Sequence, residues 1–213
     1  MADRLTLALP KGRILRDTLA LLEGCGVPCT HVLDDSRRLV FDVPGYRFLV
    51  VRSQDVATYV EHGAADLGVA GKDVLLEQEP EVYEPLDLGF GYCRLVVAEP
   101  AGASCRGAGA WSRVRVATKY PRLAEAHFRV KGIQVEIIKL YGSIELAPLV
   151  GLSEQIVDLV STGETLRQNG LVEVETILES TCRLVVNRAS MKTRTAAIAG
   201  LIRAFRDRLG EPA

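Results

Sequence analysis

Short apolar runs separated by helical patterns constrain this chain more than any other feature. Residues 5–9, 48–51, 67–70, 95–98, 114–117, 135–140, 156–160 and 184–186 are apolar stretches with little polar alternation. They read as strands buried on both faces, the pattern of a largely parallel sheet covered by helices. Between them 14–22 shows helical spacing and meets Gly24; 54–60 follows Ser53 as N-cap candidate and meets Gly63. Segment 121–128 opens on Pro121 at a first-turn position, and a last helix is expected over 192–209. The fold class is therefore α/β. With 213 residues and 48% hydrophobic content, the chain buries roughly 70% of its unfolded surface and needs no external staples.

Two internal echoes predict two lobes rather than one continuous sheet. Cys93-Arg-Leu-Val-Val97 returns as Cys182-Arg-Leu-Val-Val186, and Asp66-Leu-Gly-Val-Ala-Gly71 is matched by Asp158-Leu-Val-Ser-Thr-Gly163. If the first pair marks two strands that cross between lobes, lobe I is 1–91 with 177–213 and lobe II is 92–176. The stretch 100–109, rich in Gly, Ala and Ser, reads as a loop of the second lobe.

Charge and cysteine usage exclude several classes of function. Lys and Arg number 26 against 27 Asp and Glu, a formal charge of -1, so no sequence-wide footprint for nucleic acid or an anionic membrane exists. The opening apolar run before Lys11 is too short for a signal-peptide core, and no stretch reaches the length of a membrane span, so a cytoplasmic location is expected. Five cysteines (Cys25, Cys29, Cys93, Cys105, Cys182) form an odd set without a C-x-x-C pair. That argues against a disulfide framework and a structural zinc site. Cys25, Cys29 and His31 stand close together, but no fourth ligand follows at finger spacing; the cysteines read as ordinary thiols.

The most informative segment is Ile156-Val-Asp-Leu-Val-Ser-Thr-Gly-Glu-Thr-Leu-Arg-Gln-Asn-Gly170. A buried strand runs into a turn of hydroxyls around Gly163 and then into a short helix. Ser161, Thr162 and Thr165 supply donors, and unpaired N–H groups follow at the helix start with Glu164; together they make a pocket for a phosphate monoester. Asp158, just before the turn, can accept hydrogen bonds from sugar hydroxyls. The competing reading is a capping box formed by Ser161-Thr-Gly-Glu164. A second strand, turn and helix places Lys11 and Arg13 around Gly12, either as a polyanion contact or as a surface charge pair. Arg37 and Arg38, Arg52 and Lys72 also stand at strand ends, which would concentrate positive charge locally in a near-neutral protein. Glu145 is a first-turn partner of a helix dipole or a magnesium or sugar ligand. His31, His62 and His127 lack a telling partner, and no Ser/His/Asp or Cys/His arrangement emerges.

Four motifs resemble the ATP phosphoribosyltransferase family of histidine biosynthesis: Ala8-Leu-Pro-Lys-Gly-Arg13, the 63–73 segment, Ile138-Lys-Leu-Tyr-Gly-Ser-Ile-Glu-Leu-Ala-Pro-Leu-Val150 and the 158–170 segment. The resemblance implies a two-lobed fold like the type II periplasmic binding proteins with the active site between lobes. It also implies that N1 of ATP joins C1 of 5-phosphoribosyl 1-pyrophosphate (PRPP), with Mg²⁺ carried by substrate phosphates and pyrophosphate released. By the same resemblance Arg13 and Arg37 stabilise the leaving group, and Lys11, Arg52 and Lys72 contact phosphates. Asp158 would hold the ribose hydroxyls, Glu145 would bind substrate, and Ser161, Thr162, Gly163, Glu164 and Thr165 would hold the 5-phosphate. Ordinary phosphoribosyltransferases carry two adjacent acidic residues before the turn; here Val157 precedes Asp158. The chain is similar to the family's short form, which implies a homodimer within a hetero-oligomer and a histidyl-tRNA-synthetase-like regulatory subunit. The alternative from another class is a cytoplasmic binding module of the same fold, closing on a phosphorylated ligand without chemistry.

Overall fold

A computed structural model describes residues 4–29, 32, 37–103 and 113–210. His31, Cys105, Asp34 to Ser36 and the 100–109 loop beyond Ala103 lie outside them. In chain order the elements are β1 (Leu5–Pro10), α1 (Arg13–Gly24), β2 (Val40–Val43), β3 (Tyr46–Val51), α2 (Val56–Glu61), β4 (Leu67–Gly71), α3 (Lys72–Gln78), β5 (Val82–Asp87), β6 (Cys93–Pro100), β7 (Val114–Thr118), α4 (Pro121–Val130), β8 (Val135–Lys139), α5 (Leu146–Leu149), β9 (Gln155–Val160), α6 (Glu164–Gln168), β10 (Leu171–Ser180), β11 (Cys182–Asn187), α7 (Arg188–Thr193) and α8 (Thr195–Leu209).

The chain forms two compact units, Met1–Gly91 with Thr181–Ala213, and Tyr92–Ser180. The return crossing falls after Ser180 because β10 stays paired with β6 through Ser180 opposite Cys93. In unit 1 the sheet order is β2-β3-β1-β4-β11-β5, and in unit 2 it is β10-β6-β9-β7-β8. Five strands of each sheet follow one plan. The first strand (β1 or β7) is flanked by two parallel neighbours, β3 and β4 or β8 and β9. An antiparallel strand (β11 or β6) follows, then an outer one, β5 or β10. The two Cys-Arg-Leu-Val-Val segments occupy the same place in the two sheets, β6 and β11.

Alternation along the strands explains why both faces are covered. Leu7 and Leu9 of β1 pack with Leu19 and Leu22 of α1 and with Ile198 and Phe205 of α8, while Ala8 faces Val56, Ala57 and Val60 of α2. In unit 2, Ala98 and Ile156 pack with Ile144 and Leu166, and Val97, Val116 and Val157 pack with Tyr120, Ala124 and Phe128. Truncating a side chain as completely buried as Phe205 costs about 3–5 kcal/mol.

Two sequence expectations need correction. The helix expected over 192–209 is two helices broken at Arg194, whose guanidinium turns to the Asp66 carboxylate at 2.9 Å and the Arg4 carbonyl at 2.6 Å. Ser53 does not cap α2; the helix opens at Asp55, and no side chain bonds to its first turn.

Candidate active site

In unit 1 the cations gather at the carboxyl end of the sheet because the register puts them there. Pro10 lies opposite Val51, and the Lys11 N–H donates to the Val51 carbonyl at 2.8 Å, so Lys11 and Arg52 leave adjacent parallel strands side by side. Gly12 adopts φ 94 and ψ -149, a region open in practice only to glycine, and this turn sets Arg13 as the first residue of α1. Arg37 precedes β2, whose pairing with β3 extends to a 2.8 Å bond from the Val50 N–H to the Leu39 carbonyl and so leads back to where Arg52 emerges. Lys11, Arg13, Arg37 and Arg52 are exposed, and among the described residues none of them is held in an ion pair. The fifth expected phosphate contact differs: the Lys72 ammonium is bound by both Glu84 carboxylate oxygens, at 2.9 and 2.7 Å.

In unit 2, β9 delivers Asp158 and then the Ser161-Thr162-Gly163 turn. Gly163 sits in the left-handed region at φ 77, where a side chain is strained, and no side chain caps α6. The capping box is therefore not formed. The Glu164 carboxylate points along its own helix to Arg167, at 2.9 and 2.6 Å, and to Gln168 at 2.7 Å. Thr162 Oγ accepts only a long 3.5 Å contact from the Glu164 N–H. The Ser161, Thr162 and Thr165 hydroxyls thus stay available to a ligand, and Glu164 is committed to its own helix.

Sequence reasoning missed Lys119. Thr118 of β7 pairs with Val157 of β9, so Lys119 follows its strand beside Asp158. Burial pushes the Asp158 carboxyl above the usual aspartate range; the Lys119 charge and a 2.9 Å bond from the Leu159 N–H oppose this, and Glu145 adds to it. Asp158, Lys119 and Glu145 therefore form one electrostatic group next to the hydroxyl turn. The signal available in the sequence was a lysine directly after a strand end, as at Lys11.

His127 and Cys29 are poor candidates for a base or a nucleophile. His127 is hydrogen-bonded to Glu175 at 3.2 Å, and burial raises the Cys29 thiol to about 11, so its thiolate is scarce at neutral pH. Among the described residues no group of three or more His, Cys, Asp or Glu side chains is placed to hold a metal ion, and no helix is long and apolar enough to cross a membrane. The carboxylates Asp158 and Glu145 are too few for an all-protein cage and fit an ion that keeps most of its ligands as substrate oxygens and waters.

These features define a two-unit α/β protein with a cationic set in unit 1 and a hydroxyl-rich turn in unit 2, on the plan of the type II periplasmic binding proteins. The fold is shared with the aliphatic sulphonate binding protein SsuA from Escherichia coli, at 14% identity and TM-score 0.60 over 98% of this chain and 73% of that one. The HisG family of ATP phosphoribosyltransferases matches residues 52–207. An ATP phosphoribosyltransferase of Citrifermentans bemidjiense is 61% identical over 95% of this chain and 97% of its own length. That of Syntrophotalea carbinolica is 60% identical over 100% and 99%. Among solved structures, an ATP phosphoribosyl transferase (HisG:HisZ) complex from Thermotoga maritima contains a chain 33% identical over 97% of this one and 98% of its own, at TM-score 0.84. The chain belongs to the ATP phosphoribosyltransferase family as a catalytic subunit, a pentosyltransferase of the first step of histidine biosynthesis. The family is generally metal-dependent.

Proposed function

We propose that this chain joins N1 of ATP to C1 of PRPP by holding the pyrophosphate of PRPP on the unit 1 cations and its 5-phosphate on the unit 2 turn, and neutralising the departing pyrophosphate. The observation that carries the reading is the cationic set Lys11, Arg13, Arg37 and Arg52, none of which is in an ion pair among the described residues, in a chain whose net charge is -1. Like charges gathered at strand ends repel each other, and a bound polyanion removes that cost. Arg13 and Arg37 stabilise charge growing on the leaving group, and Lys11 and Arg52 bind substrate phosphates. The Ser161, Thr162, Gly163 and Thr165 turn takes the 5-phosphate, and Asp158 the ribose hydroxyls.

Adenine N1 brings a lone pair and no proton, so the attack needs no general base, in keeping with the occupied His127 and the poorly ionised Cys29. Catalysis is then positioning and electrostatic stabilisation. The metal would be Mg²⁺; Asp158 and Glu145 would supply its few protein oxygens beside those of the substrates, and the ion would add positive charge at the leaving group. The likeness to a chain of the Thermotoga maritima HisG:HisZ complex supports a regulatory HisZ partner, and the enzyme works in the cytoplasm. Incubation with ATP, Mg²⁺ and PRPP should release pyrophosphate only when all three are present. Tight PRPP binding without pyrophosphate release, with HisZ added, would leave the ligand-binding module as the reading.

A further inference from the structure

The Cys-Arg-Leu-Val-Val repeat puts one arginine in the same place in each sheet, and both are drawn to carboxylates on the outer strand. In unit 1, Arg183 of β11 pairs with Asp87 at 2.5 Å and Glu84 at 3.5 Å on β5, and Glu84 in turn holds Lys72 at the start of α3. In unit 2, Arg94 of β6 grips Glu173 of β10 through both carboxylate oxygens, at 2.8 and 3.1 Å, and reaches Thr176 Oγ at 3.4 Å. Both side chains are about a third exposed, 29% for Arg94 and 30% for Glu173. A bidentate pair of this kind fixes the carboxylate in direction as well as in charge.

What lies beside that carboxylate gives the pair a use. A Cβ built on Gly163 would stand 3.4 Å from Glu173 Oε1, so a negative charge lies against the glycine of the hydroxyl turn that the proposed function assigns to a phosphate. Left unpaired, it would repel that ligand. We propose that Arg94 is a positioning residue for the 5-phosphate turn, acting through Glu173: it neutralises the carboxylate behind Gly163 and holds it against the turn. The inference rests on the reading of 161–165 as the phosphate site, and the test separates the two.

PRPP affinity is measured by calorimetry on folded Arg94→Gln, Glu173→Gln, the double variant and Thr162→Ala. Arg94→Gln should weaken PRPP about tenfold, because it releases an unpaired carboxylate beside the ligand. Glu173→Gln alone should bind PRPP at least as tightly as wild type, and the double variant should recover most of the loss. Recovery of affinity on removing a second side chain is not what loss of a merely structural bridge produces. If the double variant stays as weak as Arg94→Gln, or Glu173→Gln alone weakens PRPP, the inference is overturned while the phosphate reading stands. If Thr162→Ala leaves PRPP affinity unchanged, the phosphate reading itself falls and takes the inference with it. Should Arg94→Gln not fold, Glu173→Gln against Thr162→Ala decides alone, with weakening by Glu173→Gln counting against it.

Discussion

Unit 1 and unit 2 build their sheets on one five-strand plan and part ways at the end of the third strand. In unit 1, Arg183 faces Ala70 and the helix begins at Lys72; in unit 2, Arg94 faces Val160 and the helix begins at Glu164. The longer stretch in unit 2 holds the Ser161-Thr162-Gly163 turn, whereas in unit 1 β4 passes through Gly71 straight into α3. Where unit 2 opens a hydroxyl-lined turn, unit 1 closes the position with the Lys72–Glu84 pair. One five-strand plan thus carries a hydroxyl-lined turn in unit 2 through a short local lengthening.

Removing that lengthening should have the largest effect. Deleting Ser161 and Thr162 makes the unit 2 turn as short as its unit 1 counterpart, and PRPP binding should fall by more than about 100-fold, since several charge-assisted hydrogen bonds are lost together. Thermal melting should remain cooperative, and retained PRPP binding would break the comparison. Arg13→Ala and Arg37→Ala come next: each should lower kcat by about 10² with little change in KM, as expected for a contact that strengthens as charge moves onto the leaving group. Steady-state kinetics checks both, and an unchanged kcat removes that arginine from the assignment.

Much of this organisation is legible in the sequence, for identifiable reasons. The doubly buried strands show as uninterrupted apolar runs, and the hydroxyls around Gly163 announce a turn. The strands that the sequence hides, β2, β5 and β10, are all sheet edges. An edge strand is half solvated and need not be apolar: β10 reads Leu-Val-Glu-Val-Glu-Thr-Ile-Leu-Glu-Ser, and β5 carries Pro85, tolerable only where no neighbour requires its N–H. The candidate residues can be picked out of the sequence one by one, but their pairings cannot. Lys72 and Glu84 meet across β11, which lies between β4 and β5, and Lys119 gains meaning only when β7 lies next to β9.

A smaller effect separates Asp158 from an ordinary surface carboxylate. Because burial raises its pKa, acidification protonates it at a higher pH than an exposed aspartate, and PRPP affinity should fall with it. Lys119→Ala should move that acid limb further up and Glu145→Gln should move it down, read from the pH dependence of KM for PRPP. Shifts of the opposite sign would break the electrostatic group. The smallest effect is expected at Lys72, already neutralised by Glu84: Lys72→Ala should change kcat by less than about twofold, as for most exposed ion pairs.

The proposed division of labour, with pyrophosphate on unit 1 and the 5-phosphate on unit 2, is tested most directly by calorimetry of the separated halves of PRPP. Ribose 5-phosphate and Mg²⁺-pyrophosphate are titrated into wild type, Thr162→Ala and Arg13→Ala. Thr162→Ala should weaken ribose 5-phosphate about tenfold and leave pyrophosphate unchanged, while Arg13→Ala should do the reverse. Equal weakening of both ligands by either substitution would contradict it.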